Sequence, residues 1–435
     1  MNFRKVVKKF IPTGLFQKIE PFGHMVEAIM WNALYGFPSR KFKVIGVTGT
    51  NGKTTTSYLI HRMLHESGYK VGLMSTVGYG VGANITPQMH HMTNVSVPEM
   101  MKRLRQMKRE GAEWLVLETT SHALAQNRVW GVPYSIVVFT NITQEHLAYH
   151  KTFERYIAAK RKMFEMANRN KKGLRIGIVN AEDAQATAFT SAIENPLTYG
   201  VKAGDYRATD VELKADGVAY KTRIGDHEFN IRCRLPGSFN VYNSMAVVGV
   251  GNAIGLSVEQ IEKGIYALEG VEGRMTQIDE GQQFDVIVDY AHTPDSFEKL
   301  FRDLQPVVKG KLIVLFGSLG GGDVGKRSQQ GRLAGEYADI VVLTEEDNRM
   351  ESPQQILDNI AEGVLAAGKT RDKDLFMIDK RPDAIKFAFN KAEAGDLVLL
   401  LGKGHEKTIE DADGEHPWDE IGTAREALRD RSSAS

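Results

Sequence analysis

The stretch Val44-Ile45-Gly46-Val47-Thr48-Gly49-Thr50-Asn51-Gly52-Lys53-Thr54-Thr55-Thr56 decides the fold. Val44 to Val47 is a short apolar run of the kind that forms a buried strand, and Tyr58, Leu59, Ile60 and Leu64 behind it recur at helical spacing. Gly49 and Gly52 let the backbone N–H groups between strand and helix turn inward, toward an anion that the helix N-terminus also attracts. In that setting Lys53 meets the β- and γ-phosphates of a nucleotide, and the Thr54 hydroxyl reaches a divalent cation. The spacing departs from G-x-x-x-x-G-K-S/T because the upstream glycines are Gly46 and Gly49, but strand, loop and helix follow in the order the motif requires. The expected phosphate-binding residues are Gly49, Thr50, Asn51, Gly52, Lys53, Thr54 and Thr55.

Outward from this loop the same alternation continues. Trp114-Leu115-Val116-Leu117 and Ser135-Ile136-Val137-Val138-Phe139 are further buried-strand runs separated by helical patterns, which predicts a mostly parallel sheet covered on both faces. Asp205 to Arg234 alternates polar and apolar residues around Gly217 and Gly225-Asp226 and reads as an antiparallel hairpin region. Helical periodicity returns at Tyr242 to Ala253 and Val258 to Leu268, and glycines at Gly270 and Gly273 mark a hinge. A second series of strand runs follows, at Asp285-Val286-Ile287-Val288, Leu312 to Phe316, Ile340 to Leu343 and Leu397 to Leu401. The fold class expected is α/β: a central P-loop ATPase-like, mostly parallel sheet domain at 43–270, plus a C-terminal Rossmann-like α/β domain at 271–435, after a short N-terminal segment at 1–42. A length of 435 residues agrees with more than one core.

Lys+Arg 55 against Asp+Glu 54 gives no general attraction to nucleic acid or anionic membrane, so any anion site must be local. The single cysteine, Cys233, can form no internal disulfide and fits a reducing, cytoplasmic location. Arg4, Lys5, Lys8 and Lys9 precede no apolar run of signal-peptide length, and stable membrane insertion is not expected. Val6, Phe10, Leu15, Phe16 and Ile19 nonetheless make a basic amphipathic start interrupted at Pro12. Packing against the next domain is its expected role and surface association the alternative. Phe22, Ile29, Met30, Trp31 and Leu34 predict a helix that docks on the body of the protein.

Glu118 and His122 lie just beyond a strand run, at the carboxyl edge where parallel α/β sheets bind ligands, and they suit a divalent metal bridging phosphate to substrate. His146 and His150, four apart, follow the next strand; without a third zinc ligand, His146 fits better as a ligand of phosphate-bound Mg²⁺. Lys160-Arg161-Lys162, read alone, is a solvated basic helix face.

Together these segments resemble the Mur ligase family, whose members add amino acids to the peptidoglycan precursor. Thr48-Gly49-Thr50-Asn51-Gly52-Lys53-Thr54-Thr55 matches its loop, Glu118-Thr119-Thr120-Ser121-His122 resembles E-x-S-S-H, and Thr140-Asn141 through His146 resembles T-N-x-x-x-D-H. Gly237 to Asn243 resembles G-x-x-N-x-x-N. Gly273-Arg274-Met275, Asp289 to Asp295 and Gly320 to Arg327 resemble the elements that close over ATP. The resemblance implies ATP and Mg²⁺ as cofactors. It implies catalytic roles for Lys53, Glu118, His146 and Lys160, with Thr54, Glu118, His146 and a carbamylated Lys160 around the metal. Asn240, Arg274, His292, Asp295 and Lys326 would join the loop at ATP. Thr93, Asn94, Thr120, Gln126, Arg128, Arg349, Gly402 and Glu406 would bind the muramyl-peptide nucleotide and the free amino acid.

Gly402-Lys403-Gly404-His405-Glu406 and Arg349 look like the branch that adds the third residue, lysine or diaminopimelate, although Glu346-Asp347-Asn348-Arg349 stands where D-N-P-R is usual. Lysine, diaminopimelate and another amine remain open. That branch carries an N-terminal domain gripping UDP, which the 42 residues before Lys43 would replace. The implied reaction is ATP-dependent amide formation through an acyl phosphate, by a monomer that binds no nucleic acid. The alternatives are a MurT-like or folylpolyglutamate-synthase-like ligase on another carboxylate, a phosphoryl-transfer kinase, and a nucleotide-gated binding module.

Overall fold

The computed structural model describes residues 13–89, 92–214 and 216–433, with side chains at 13–19, 21, 148 and 433 left aside. The basic start at Met1 to Phe10 lies outside the described residues. Strand β1 (Lys43–Thr48) runs through the middle of a nine-stranded sheet. The others are β2 (Val71–Met74), β3 (Gly78–Val81), β4 (Asn84–Pro87), β5 (Trp114–Glu118), β6 (Tyr134–Phe139), β7 (Ile176–Asn180), β8 (Asn195–Gly200) and β9 (Tyr206–Arg207), in the spatial order β4-β3-β2-β5-β1-β6-β7-β8-β9. All pair in parallel from β2 to β9, and β3 and β4 extend one edge antiparallel. Both faces are covered. Ile45 and Val47 pack with Leu59, Ile60 and Met63 of the helix Lys53–Glu66 and with the helix Phe239–Ala253. Val44 points the other way, toward Met100, Leu104, Tyr156 and Met163 on the helices Val97–Arg109 and Phe153–Arg169.

A small antiparallel sheet of β10 (Thr209–Lys214), β11 (Gly217–Ile224) and β12 (His227–Cys233) follows, as the alternation predicts. The second α/β body has six strands in the order β13-β14-β18-β15-β16-β17: β13 (Thr276–Gln277), β14 (Asp285–Asp289), β15 (Leu312–Phe316), β16 (Ile340–Leu343), β17 (Leu375–Met377) and β18 (Leu397–Leu401). Val314 and Phe316 face the helices Pro294–Leu304, Gly325–Tyr337 and Pro353–Ala366, while Ile313 and Leu315 face Arg381–Lys391 and Glu420–Ser433. A hairpin, β19 (Thr408–Asp411) and β20 (Gly414–Pro417), completes the strands. At the expected hinge, an added Cβ at Gly270 would meet nothing within 4 Å, but Gly273 is packed so closely that an added Cβ would stand 2.2 Å from the His405 backbone nitrogen.

The N-terminal helix, Thr13–Leu34, docks by a face other than the one its apolar residues predict. Phe22, Ile29, Met30 and Leu34 are exposed, and of the apolar residues named above only Trp31 packs inward. His24, Ala28 and Asn32 form the buried face, with Asn32 Nδ2 donating to the Trp130 carbonyl at 3.2 Å. A small residue and an amide that finds a backbone acceptor let the helix lie close to the 128–131 turn, which a row of large side chains would prevent.

Two buried imidazoles make the fold acid-sensitive. Burial pushes His61 down to about 4 and His405 down to about 3. An unfolded histidine takes up its proton near 6.5, so stability is complete above that pH and falls as pH drops toward the folded values. Each site should cost about 2 kcal/mol at pH 5. Denaturant titrations at pH 7.5 and pH 5 check this: the midpoint should fall at the lower pH, and His61→Gln should reduce the difference.

Candidate active site

Three strand ends meet at one edge of the central sheet. In register, Val47 of β1 lies beside Glu118 of β5, and Thr48 lies beside Phe139 of β6. The chain leaves β1 toward β2 on one side while β6 lies on the other, so the loop after β1 opens at a topological switch point. Backbone bonds lock the three ends together: Thr119 N–H donates to Val47 O (2.8 Å), Thr140 N–H to Thr48 O (3.1 Å) and Thr50 N–H to Asn141 O (2.8 Å).

The loop is held from both sides. Gly49 has φ +154 and an added Cβ would stand 1.9 Å from Thr140 Oγ1; Gly52 has φ +81 and would meet Asn243 Oδ1 at 2.3 Å. No other residue fits at either place. Asn51 N–H donates to Asn141 Oδ1 (3.0 Å), and Thr140 Oγ1 donates to Asn51 O (2.7 Å). Lys53 Nζ folds back onto Thr50 O at 2.7 Å, at the mouth of the loop.

Glu118 is fully buried and, among the described residues, receives only neutral donors: the Thr54 hydroxyl at 3.1 Å from each carboxylate oxygen, Thr76 N–H at 2.9 Å and the Thr76 hydroxyl at 2.9 Å. Asn94 bridges behind it, donating to Glu118 O (2.8 Å) and accepting from Thr120 N–H and Thr120 Oγ1 (both 2.9 Å). Arg128 Nη1 donates to Asn94 O. Beside them His122, His146, Tyr149 and His150 form a ring cluster, with His122 and His146 centroids 4.7 Å apart. Burial, reinforced by the neighbouring imidazoles, pushes His122 down to about 3; burial pushes His146 down to about 4 against the pull of Glu145. Burial alone would raise the Glu145 carboxyl, but the imidazoles of His146 and His292, each 3.4 Å away, hold it below the usual carboxylate range.

Lys160 is 2 % exposed, not on a solvated face, and donates to Gly49 O at 2.6 Å beneath the loop. Burial and the charge of Lys53 lower its pKa well below that of a free lysine, which favours the neutral, nucleophilic amine.

The second α/β body closes this edge into a cleft of about 750 Å³. Asn51 Nδ2 donates to Asp295 Oδ2 (2.7 Å), Arg274 Nη2 approaches Thr54 Oγ1 (3.4 Å) while lying over the Tyr290 ring (4.4 Å), and His292 pairs with Glu145. The wall includes Thr50 to Thr55, Thr93, Asn94, Glu118, Thr120, Gln126, Arg128, His146, Asn240, Arg274 and His292.

Two profiles cover most of the chain: the Mur ligase middle domain matches residues 47–251, and the Mur ligase, glutamate ligase domain matches residues 273–404. A UDP-N-acetylmuramyl-tripeptide synthetase from Roseiflexus sp. (strain RS-1) is 42% identical over 408 residues, covering 91% of this chain and 80% of that protein. The chain belongs to the Mur ligase family. A UDP-N-acetylmuramoyl-L-alanyl-D-glutamate--2,6-diaminopimelate ligase from Geobacillus thermodenitrificans (strain NG80-2) is 36% identical over 95% of this Mur ligase and 84% of its own length. A solved structure of a ligase of that same description superimposes with TM-score 0.61 at 31% identity, over 90% of this chain and 79% of the other. A folylpolyglutamate synthase from Mycobacterium tuberculosis shares the fold, with TM-score 0.72 at 13% identity over 94% and 95% of the two chains.

Several residues expected at the site lie off the cleft wall. Gly49 and Lys160 are behind the loop, and Asp295 stands back from the wall, bonded to Asn51 and Lys299. Lys326 Nζ donates to His292 O (3.3 Å). Arg349, at φ +53, pairs with Glu410 (3.0 Å). Glu406 accepts from Tyr290 OH (3.1 Å) and from Lys403 Nζ (2.7 Å), and Lys403 is itself buried against Asp347 (2.8 Å). Gly402, at φ +98, leaves room for the Glu346 carboxylate, which an added Cβ would meet at 2.5 Å. Sequence reading missed Thr76 and Glu145. Thr76 follows a four-residue strand and sits in no motif, whereas Glu145 occupies the carboxylate position directly before His146 and was visible there.

Proposed function

We propose that this Mur ligase is an ATP-dependent, ADP-forming amide ligase that joins an amino acid, a diamino acid by its C-terminal segments, to the free carboxylate of a UDP-N-acetylmuramyl-dipeptide. The observation that carries this is one cleft with the phosphate loop and a buried, cation-free Glu118 on one wall and the Asn94, Thr120, Gln126 and Arg128 group beside it. The relatives at 42% and 36% identity, named for tripeptide synthesis and diaminopimelate ligation, support the substrate class.

An amide cannot form from a carboxylate by loss of oxide. A carboxylate oxygen therefore attacks the γ-phosphorus of ATP, ADP leaves, and the amine attacks the acyl phosphate so that phosphate departs with that oxygen and the amine loses a proton. Lys53 and the loop N–H groups aim at the charge spread over the transferring phosphoryl group. Arg128 draws the acceptor carboxylate toward the loop. Arg274 and His292, brought by the second body, complete the nucleotide site on closure and exclude water that would hydrolyse the acyl phosphate.

Glu118 and the Thr54 hydroxyl fit Mg²⁺: hard oxygen donors at a phosphate site, with a buried carboxylate that no cation among the described residues pairs. Among the described residues no group of three or more His, Cys, Asp and Glu is arranged to hold a metal ion by itself, so phosphate oxygens would have to add to these two donors. Bound there, the ion would neutralise phosphate charge. His146, and Lys160 if carbamylated, would supply further donors to it.

Phosphate release with UDP-muramyl-dipeptide and a panel of amines tests the reading. Lysine or diaminopimelate should raise turnover about tenfold or more over the nucleotide alone. No stimulation by any amine with a muramyl acceptor would remove the assignment.

A further inference from the structure

Within the amide-ligase reading above, on which this rests, we infer that Glu346 binds the side-chain ammonium of the incoming amino acid and so selects a diamino acid with one carboxylate over one with two. Strands β14, β18, β15 and β16 run parallel, so their carboxyl ends share one edge of the second sheet. The residues after β14, Tyr290 to His292, line the cleft. Glu346 follows β16, but its side chain reaches back along this edge toward them. Its Cβ lies 3.0 Å from the place of an added Cβ on Gly317, after β15, and its Oε2 lies 2.5 Å from the place of one on Gly402, after β18. The carboxylate therefore stands at the end of β18, one strand from β14 and the cleft.

Glu346 is 7% exposed, yet among the described residues it accepts no hydrogen bond and joins no ion pair. Burial raises its carboxyl above the usual carboxylate range, against the more distant charges of Lys403, Lys326 and Arg381. Each of those cations is engaged elsewhere. Lys403 Nζ serves both Asp347 (2.8 Å) and Glu406 (2.7 Å), Arg381 pairs with Glu420 (2.6 Å), and Lys326 donates to the His292 carbonyl (3.3 Å). Ser318 Oγ, one residue beyond Gly317, is also buried without a hydrogen-bond partner. A buried carboxylate is ordinarily paired, and the partner it takes is a cationic donor. ATP and the muramyl acceptor are anionic, so of the three organic substrates the diamino acid alone brings a cation. Its reacting amine must be neutral when it attacks the acyl phosphate at the Lys53 loop, which leaves the side-chain ammonium for Glu346. A second carboxylate in that place would meet Glu346 as a like charge, with Arg349 already paired to Glu410 (3.0 Å).

The test is phosphate release with ATP and UDP-muramyl-dipeptide, taking L-lysine, L-ornithine, L-norleucine and meso-diaminopimelate as amines. The better of lysine and ornithine should exceed norleucine about a hundredfold or more in kcat/KM, and diaminopimelate about tenfold or more. Glu346→Gln, which keeps the shape, should cut the preference over norleucine about tenfold or more, through KM for the diamino acid. Its KM for ATP and its denaturation midpoint should stay at the parent values, and Glu346→Asp should keep part of the preference. Should the glutamine variant fail to fold, the four amines compared on the parent chain decide. Diaminopimelate or norleucine used as well as lysine and ornithine, or a Glu346→Gln loss equal for every amine, would overturn this proposal and leave the ligase reading standing. No stimulation by any of the four would remove both.

Discussion

Replacing Lys53 by methionine should lower kcat about a thousandfold while leaving the fold intact. The methionine stem is nearly as long, so the helix start is preserved and the change removes mainly a charge. That charge lies at the mouth of the loop, 2.7 Å from Thr50 O, where it can extend to the phosphoryl oxygens. An aimed donor in a water-excluded site contributes about 3–4 kcal/mol at the transition state, which corresponds to a factor of 10² to 10³. Single-turnover ADP formation is the measurement, alongside a denaturation midpoint that should stay at the parent value. A variant retaining more than a tenth of the activity would show that Lys53 does not meet the transferring phosphate.

The second large effect concerns Lys160. Its amine is buried, lies near the charges of Lys53 and Glu118, and is held toward the neutral form. A neutral amine adds CO₂ to give a carbamate and one proton, exchanging a group that would repel a divalent cation for one that binds it. Lys160→Ala should therefore lose about a hundredfold or more in kcat, and bicarbonate depletion should lower the parent enzyme but not the variant. Lys160→Glu, which keeps a carboxylate on a shorter stem, should recover part of the loss. Equal sensitivity of parent and alanine variant to bicarbonate would end this role, and so would full activity of either variant.

Much of this was readable without coordinates because the strands announce themselves. β5 and β6 are continuous apolar runs, β1 is interrupted only at Gly46 and is marked by the phosphate loop behind it, and the residues at or just beyond their ends, Gly49, Glu118 and Thr140, must then share the carboxyl edge of a parallel sheet. Strands whose apolar run is broken by glycine and is followed by no motif, such as Val71-Gly72-Leu73-Met74 and Ile176-Gly177-Ile178-Val179, carry a weaker pattern than β1, whose own glycine is offset by the loop behind it. Lys160 misleads by periodicity, since three adjacent cations on a helix ordinarily face water, yet only Arg161 and Lys162 keep some exposure. The N-terminal helix misleads in the opposite sense: its apolar stripe is real, but Ala28 and Asn32 supply the closer fit to the body. Pairings between the two bodies, Asn51 with Asp295 and Glu145 with His292, depend on how the domains dock and have no one-dimensional signal.

Activation of the acceptor carboxylate by the γ-phosphate at the Lys53 loop is the step on which amide formation depends. Turnover of UDP-muramyl-dipeptide labelled with ¹⁸O in its free carboxylate, with ATP and the stimulating amino acid, follows that oxygen directly. One labelled oxygen should appear in each phosphate released, with ADP free of label and one amide formed. Unlabelled phosphate, or label carried into AMP, would contradict an acyl phosphate formed at this site.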